Sequence, residues 1–274
     1  MIRFWFCLSL SLSLLLCSCN PKKDNVNDAL RVGTMAGSDA QLMQVVQNVA
    51  LEKYGLHIDI VQFTDYSRPN EALMKGEIDA NAYQHQPYLI AWNAKHNGNL
   101  IPVAKTYIYS MGIYSYKIDR IRQLNRNSVI AIPNDATNEA RALLLMQKAG
   151  LIVLRPGADV LATPHDIIAN PLNLKIETAN AGEVASMLPT VDAAVINSNY
   201  AILATLIPQM GDMSPTRKDA LYLEEKDALY ANVLVTRPNE KNDPKIRALI
   251  GAFHSAQVTA AAQTIFHGCA IKAW

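Results

Sequence analysis

The segment IDANAYQHQPYL, residues 78–89, contains the end of one structural element and the start of another. It predicts a β-strand over Ile78 to Tyr83 and a helix over Pro87 to His96. Hydrogen-bonding and aromatic side chains are concentrated where the chain turns from strand to helix. The polar and aromatic side chains of this turn are those of Tyr83, Gln84, His85, Gln86 and Tyr88.

The same alternation of strand and helix extends along the chain, which predicts the α/β class. Strands are predicted at 30–34, 57–63, 78–83, 129–133, 174–178, 193–197 and 230–236, and helices at 69–75, 87–96, 137–149 and 184–188. We interpret the pattern as two similar lobes with a cleft between them. Lobe I comprises residues 30–112 and 228–274, lobe II comprises residues 113–227, and the chain crosses twice between the lobes.

The first 19 residues have the pattern of an export signal. Arg3 supplies a positive charge, and Phe4 to Leu16 form an apolar stretch that is shorter than the about 20 residues of a membrane-spanning helix. Leu16 and Ser18 lie where lipoprotein processing requires an aliphatic and a small residue before Cys19. We therefore expect a signal peptide at 1–18, lipidation of Cys19 by acyl chains such as palmitate, and a tether at 19–29. An ordinary signal with incidental cysteines is the alternative.

The composition argues against several classes of protein. Of four cysteines only Cys269 lies beyond the signal and the lipidation site, so no intramolecular disulfide is expected. A net charge of +1 gives no sign of a nucleic-acid partner. Six scattered histidines do not form a metal-binding pattern, and we expect neither a metal nor a cofactor.

The candidate binding residues follow the predicted strands. In open α/β sheets ligands lie beyond the carboxyl ends of the strands. Besides the turn after residue 83, polar residues follow the strands that end at 133 and 197. These are Asn134, Asp135, Thr137, Asn138 and Asn197. Turn, cap or core roles explain such residues about equally well.

Arg141 is a candidate for binding an anionic group. It lies near the start of its predicted helix, where the helix dipole disfavours a cation by a few tenths of a kcal/mol. A ligand carboxylate would compensate through a bidentate contact. The alternative, that Arg141 simply lies in water, has equal weight on placement alone.

A longer set of residues resembles the methionine-binding lipoprotein (NlpA/MetQ) family of ABC importers. The resemblance runs from about residue 30 to the last residue and is carried by these segments: Tyr54-Gly55-Leu56, Asp65-Tyr66, residues 69–73, residues 76–89, Ile132-Pro133-Asn134-Asp135, Thr137-Asn138 with Arg141, residues 194–197 with Tyr200-Ala201, Tyr230 with Asn232, and residues 270–274.

The resemblance implies a two-lobed periplasmic-binding-protein fold and a membrane-tethered carrier that delivers methionine to the permease and ATPase of an ABC importer. It implies that Arg141 binds the ligand carboxylate and that Asn197 and Asn232 hold the amino-acid head group. Four further positions are implied to line the side-chain and lobe-closing part of the pocket: Tyr66, Tyr83, His85 and Tyr88. Tyr83 replaces a phenylalanine of many relatives, and its hydroxyl could favour a more polar ligand.

Three other functions stay open at this point. The same carrier could take a different small amino acid or a methionine-containing dipeptide. An exported lyase-type enzyme would need an acid and a base in the cleft, for which His85 with Asp135 or Glu139 is the only pair we find. An adhesin or scaffold would have the same two lobes but would need no pocket that binds a charged ligand.

Overall fold

A computed structural model describes residues 29–207 and 220–274 of the chain, so the predicted signal peptide and Cys19 lie outside the described residues. Its larger sheet has six strands in the order β13-β4-β12-β3-β1-β2. In chain order, the first elements are β1 (Leu30–Met35), α1 (Ser38–Tyr54), β2 (Ile58–Phe63), α2 (Arg68–Met74), β3 (Ala80–His85), α3 (Gln86–His96) and β4 (Ile101–Tyr109).

The second sheet has five strands in the order β11-β5-β10-β6-β9, and a two-stranded sheet pairs β7 with β8. The elements of this part are β5 (Met111–Tyr114), β6 (Val129–Pro133), α4 (Ala136–Lys148), β7 (Val153–Leu154), β8 (Ile167–Ala169), β9 (Lys175–Ala179), α5 (Ala181–Val184), β10 (Ala193–Asn197), α6 (Ser198–Leu203) and β11 (Tyr222–Leu223). The chain then returns to the first sheet with β12 (Ala231–Thr236), α7 (Pro244–Phe253), α8 (Ala256–Ile265) and β13 (Ala270–Lys272).

The predicted α/β class with two crossings is confirmed. The chain passes from the first sheet to the second at Ser110, between β4 and β5, and returns between β11 and β12. Within residues 29–207 and 220–274, no helix combines the length and the apolar character that a membrane span requires.

The strand β4 was missed by the sequence analysis, although it lies inside the first sheet between β12 and β13. Its sequence contains Pro102, which cannot donate a backbone hydrogen bond and usually argues against a strand. The structure accommodates Pro102 beside a register shift in the pairing of β4 with β12, opposite Val235. The proline is the reason why the strand was not predicted, and the sheet accommodates the proline because it lies where the strand pairing is irregular.

Each sheet has its own apolar core. Helices α1, α7 and α8 pack on the first sheet around Val46, Leu249 and Phe266, all fully buried. Helix α4 packs on the second sheet around Leu143 and Met146. A third cluster joins residues from both sheets and lies beside the cleft. Its members include Met35, Tyr83, Ala131, Ile196 and Tyr200.

Candidate functional site

A cavity lies between the two sheets, at the carboxyl ends of their parallel strands. All eight residues predicted to bind ligand line it: Tyr66, Tyr83, His85, Tyr88, Asn138, Arg141, Asn197 and Asn232. The structure therefore brings together side chains that the sequence separates by up to 166 positions, between residues 66 and 232.

A β-bulge in β3 shapes the floor of the cavity. In the pairing of β3 with β12, Gln84 lies opposite Val233 and Ala82 lies opposite Leu234, so Tyr83 is the extra residue. A bulge changes the direction of the strand and of its side chains, and bulges are common beside functional sites. Here the bulge lets Tyr83, Gln84 and His85 all line the cavity.

His85 ends β3 and caps helix α3. Its Nδ1 accepts a hydrogen bond from the backbone N–H of Tyr88 at 3.1 Å, which assigns the ring proton to Nε2. Nε2 then donates to Oδ1 of Asn138 at 3.3 Å. Burial, followed by the nearby charge of Arg141, lowers the pKa of His85 to about 3. His85 is therefore a neutral ring with both nitrogens engaged.

Asn138 connects three side chains of the site. Asp135 caps α4, and its carboxylate accepts from the Asn138 backbone N–H at 3.0 Å and from Asn138 Nδ2 at 2.9 and 3.0 Å. Because Nδ2 is held in this way, Oδ1 of Asn138 points to the other side and accepts from Asn197 Nδ2 at 3.0 Å. The remaining polar atom of Asn197, its Oδ1, is buried and finds no partner in the described part of the chain.

Arg141 is compensated within the protein, which the sequence analysis did not expect. Its Nε donates to Glu224 at 2.9 Å and its Nη2 donates to Glu224 at 2.5 Å and to the Tyr109 carbonyl at 2.7 Å. The guanidinium also lies 4.2 Å from the centre of the Tyr230 ring. Since α4 begins at Ala136, Arg141 lies in its second turn, where the helix dipole has little effect. Glu224 offsets the charge, and Nη1 has no partner among the described residues.

Three tyrosine rings form the apolar part of the wall. The ring centre of Tyr66 lies 5.9 Å from that of Tyr83 and 6.2 Å from that of Tyr88. The hydroxyls of Tyr83 and Tyr88 both donate to the backbone carbonyl of Tyr66, at 3.2 and 2.8 Å. The hydroxyl that distinguishes Tyr83 from phenylalanine is therefore used inside the wall, which weakens the argument that it favours a more polar ligand.

Hydrogen bonds also join the two sides of the cleft. Tyr66 follows β2 of the first sheet. Its hydroxyl donates to Asn199 Oδ1 on α6 at 2.8 Å. The Tyr200 hydroxyl on α6 donates to the Thr64 carbonyl at 3.2 Å. Together with the contact of His85 and Asn138, these bonds hold the two sheets in a closed arrangement around the cavity.

The sequence analysis missed several residues that line or support the cavity. Asp39 follows β1 and could have been found by applying the strand-end rule to that strand, as was done for three others. Asn199, Ser198 and Tyr109 also line the cavity. No sequence signal identifies Glu224 as the partner of Arg141, because 83 residues separate the two.

The arrangement can bind a small zwitterion with an apolar side chain. Nη1 of Arg141 offers donors to a carboxylate, Oδ1 of Asn197 offers an acceptor to an ammonium group, and tyrosine rings surround the remaining space. A thioether is well suited to such rings, because sulfur interacts favourably with aromatic edges. In residues 29–207 and 220–274 no group of three or more His, Cys, Asp and Glu side chains could hold a metal ion.

Comparison with known proteins agrees with this chemistry. The family model described as NlpA lipoprotein matches residues 30–274. The D-methionine-binding lipoprotein MetQ of Salmonella typhi is 41% identical over 264 residues, which cover 96% of this chain and 94% of that protein.

Two solved structures have the same fold. A periplasmic substrate-binding protein of an ABC transporter from Coxiella burnetii has a TM-score of 0.82 at 46% identity, covering 89% of this chain and 99% of that one. A nutrient-binding protein from Burkholderia cenocepacia, solved bound to methionine, has a TM-score of 0.84 at 40% identity, covering 90% of this chain and 100% of that one.

Proposed function

The chain belongs to the NlpA lipoprotein family, and we propose that it is the substrate-binding lipoprotein of an ABC importer and that its ligand is methionine. The observation that carries the proposal is one cavity that combines Nη1 of Arg141, the unpartnered Oδ1 of Asn197 and a wall of tyrosine rings. These groups match the carboxylate, the ammonium and the thioether side chain of methionine. Tyr88, Asn138 and Asn232 complete the proposed contacts, together with Tyr66, Tyr83 and His85.

The proposal includes the way in which the protein is held at the membrane. The signal peptide at 1–18 is removed, Cys19 receives the lipid, and residues 19–29 connect it to lobe I (30–112 and 228–274) and lobe II (113–227). Two or more acyl chains hold a protein durably at a membrane surface. The protein then faces the periplasm or the cell exterior, and a separate permease and ATPase carry out transport.

We propose binding without chemical conversion of the ligand. A cleft enzyme would need a group that gives and takes a proton. His85 cannot do so while Nδ1 accepts from Tyr88 and Nε2 donates to Asn138, and its low pKa keeps the ring neutral. Asp135 is likewise engaged by both the backbone and the side chain of Asn138.

The test is titration calorimetry of the detergent-solubilised lipoprotein, after exhaustive dialysis, against a panel of amino acids and methionine-containing dipeptides. The expected result is micromolar or tighter binding of L-methionine, which is recovered unchanged by mass spectrometry. If another amino acid or a dipeptide bound more tightly than methionine, that compound would be identified as the ligand. Recovery of a chemically converted product would show that the protein is an enzyme. Absence of binding across the panel would favour the hypothesis that the protein is an adhesin or scaffold.

A further inference from the structure

Asp39 has the only carboxylate among the described residues that line the cavity. It lies in the first turn of α1, just beyond the carboxyl end of β1, and Gly37 with φ 88° makes the tight turn that brings α1 to this edge. No residue within 29–207 or 220–274 forms a hydrogen bond or an ion pair with the Asp39 side chain. It is thus an acidic group that faces the cavity without a partner in the described protein.

The charges around Asp39 do not balance without a ligand. Arg141 lines the same cavity, but Glu224 already neutralises it through two hydrogen bonds. His85 is uncharged, because burial lowers its pKa to about 3. If Asp39 is ionised, the cavity therefore has one uncompensated negative charge, and such a charge is costly in a partly dry site unless a cation meets it.

A residue that lines the same cavity carries a second acceptor without a partner among the described residues. Oδ1 of Asn197 is buried without a hydrogen bond to any described residue, and the residue as a whole is only 9% exposed. The orientation of this amide is fixed, because its Nδ2 donates to Asn138. A carboxylate and a fixed amide oxygen in one cavity both require a donor, and an ammonium group has three N–H donors.

We propose that Asp39 binds the α-ammonium group of the ligand together with Oδ1 of Asn197, and that this contact restricts the site to ligands with a free amino group. The inference rests on the proposed function, since it assigns the amino end of the same zwitterion whose carboxylate meets Arg141. It also goes beyond that function, because it makes a residue outside the predicted set responsible for selecting amino acids over other carboxylates of similar shape.

The contact makes ligand affinity depend on pH. Burial raises the pKa of Asp39 to about 7 in the ligand-free protein, so the carboxyl is increasingly protonated below that pH. Binding an ammonium group requires the ionised form, so a proton must leave, and affinity falls by up to roughly tenfold per pH unit below about pH 7.

The other titratable groups around the cavity must be distinguished from Asp39 as sources of this dependence. Burial raises the pKa values of the phenols of Tyr66, Tyr109 and Tyr200 and lowers the pKa of His85, so these four side chains stay neutral in this range. Burial also raises the pKa of Asp135, although hydrogen bonds from Asn138 oppose the increase. A variant that changes Asp39 alone separates its titration from that of Asp135.

The experiment compares the full-length lipoprotein with its Asp39→Asn variant, and Asp59→Asn serves as the matched control. Asp59 is an exposed carboxylate on β2 of the same sheet and does not line the cavity. Calorimetry with L-methionine between pH 5.5 and 8 (about 2.5 units around the Asp39 pKa) gives affinity and proton release. Competition against bound methionine gives the affinity of 4-methylthiobutanoate, which is methionine without its amino group, and circular dichroism confirms that each variant is folded.

The expected result is a loss of roughly tenfold to a hundredfold in methionine affinity for Asp39→Asn at pH 8, and no loss for Asp59→Asn. The variant should also lose the pH dependence of binding and discriminate less between methionine and its amino-free analogue. Unchanged methionine affinity, or an equal loss for both ligands, would overturn the role of Asp39. If the unaltered protein binds no methionine, the proposed function fails instead, and this outcome is distinct from the failure of Asp39 alone.

Discussion

At the scale of single residues, the central feature is a buried ion pair beside the ligand cavity. Arg141 and Glu224 are 4% and 6% exposed, and Glu224 also accepts a hydrogen bond from the backbone N–H of Met111 at 3.0 Å. Met111 follows the first crossing between the sheets, and Glu224 precedes the second. The pair therefore orients the guanidinium and at the same time connects the two crossing segments.

Replacing Arg141 should weaken ligand binding and lower the folding stability for two different reasons, which experiments can distinguish. We expect Arg141→Ala to weaken methionine binding by tenfold or more, about 1.4 kcal/mol, because the carboxylate loses its donor. The same change leaves Glu224 buried without its cation, which typically costs about 3–5 kcal/mol of folding free energy.

The double variant Arg141→Ala with Glu224→Gln tells these effects apart. Urea unfolding should show that the second change restores much of the lost stability, because no buried charge remains. Calorimetry should show no recovery of affinity. A single Arg141→Ala variant with the affinity of the unaltered protein would remove Arg141 from the binding site.

At the scale of elements, helix starts position the polar side chains of the site. Helix α3 begins after His85 and α4 begins after Asp135, and each of these residues caps its helix by accepting a backbone N–H. A cap satisfies one of the free N–H groups of the first turn. His85 lines the cavity, and Asp135 binds Asn138, which also lines it, so each cap starts a helix and orients a residue of the cavity.

The cap of α4 should therefore matter for binding as well as for folding. We expect Asp135→Ala to lower the free energy of unfolding by about 1 kcal/mol through loss of the cap. It should also weaken methionine binding, because Asn138 no longer has the partner that orients its Oδ1 toward Asn197.

Ser255→Ala is the matched control for the α4 cap. Ser255 caps α8 by accepting from the backbone N–H of Val258 at 3.2 Å, and it does not line the cavity. Its replacement should lower stability by a similar amount and leave the affinity unchanged. Equal affinities for the two variants would show that the Asp135 cap has no role in binding.

At the scale of the whole molecule, the cavity exists because two sheets close on each other. The Tyr66 hydroxyl makes a direct hydrogen bond across the cleft beside the tyrosine wall, to Asn199 on the opposite side. Binding proteins of this build close by hinge motion around the ligand. A bond that exists only in the closed form should slow opening, and with it the release of ligand.

Removing this hydroxyl should speed release. We expect Tyr66→Phe to raise the dissociation rate of methionine roughly fivefold, the effect of one lost hydrogen bond, with little change in the association rate. Stopped-flow displacement measures both rates. Tyr83→Phe is the control, because its hydroxyl bonds to the Tyr66 carbonyl on the same side of the cleft. Equal dissociation rates for the two variants would contradict the closing role of Tyr66.

The sequence by itself determined the α/β class, most strand and helix positions, the two crossings, the family and eight residues that line the cavity. The family and the roles of residues such as Tyr66 and Asn232 came from a resemblance that spans the chain. The class, the element positions and the crossings follow from local patterns, because strand and helix periodicity depends on neighbouring residues, and the strand-end rule predicts where polar residues lie. For that reason the strands 129–133 and 193–197 were predicted with the bounds that the structure has.

Only the tertiary structure decided which side chains meet and which are left without partners. The pairing of Arg141 with Glu224, the bulge at Tyr83 and the strand containing Pro102 depend on segments far apart in the chain. The isolation of the Asp39 carboxylate is likewise a property of the assembled cavity. Ion pairing and burial act between groups that the fold brings together, so their outcome cannot be obtained from local sequence alone.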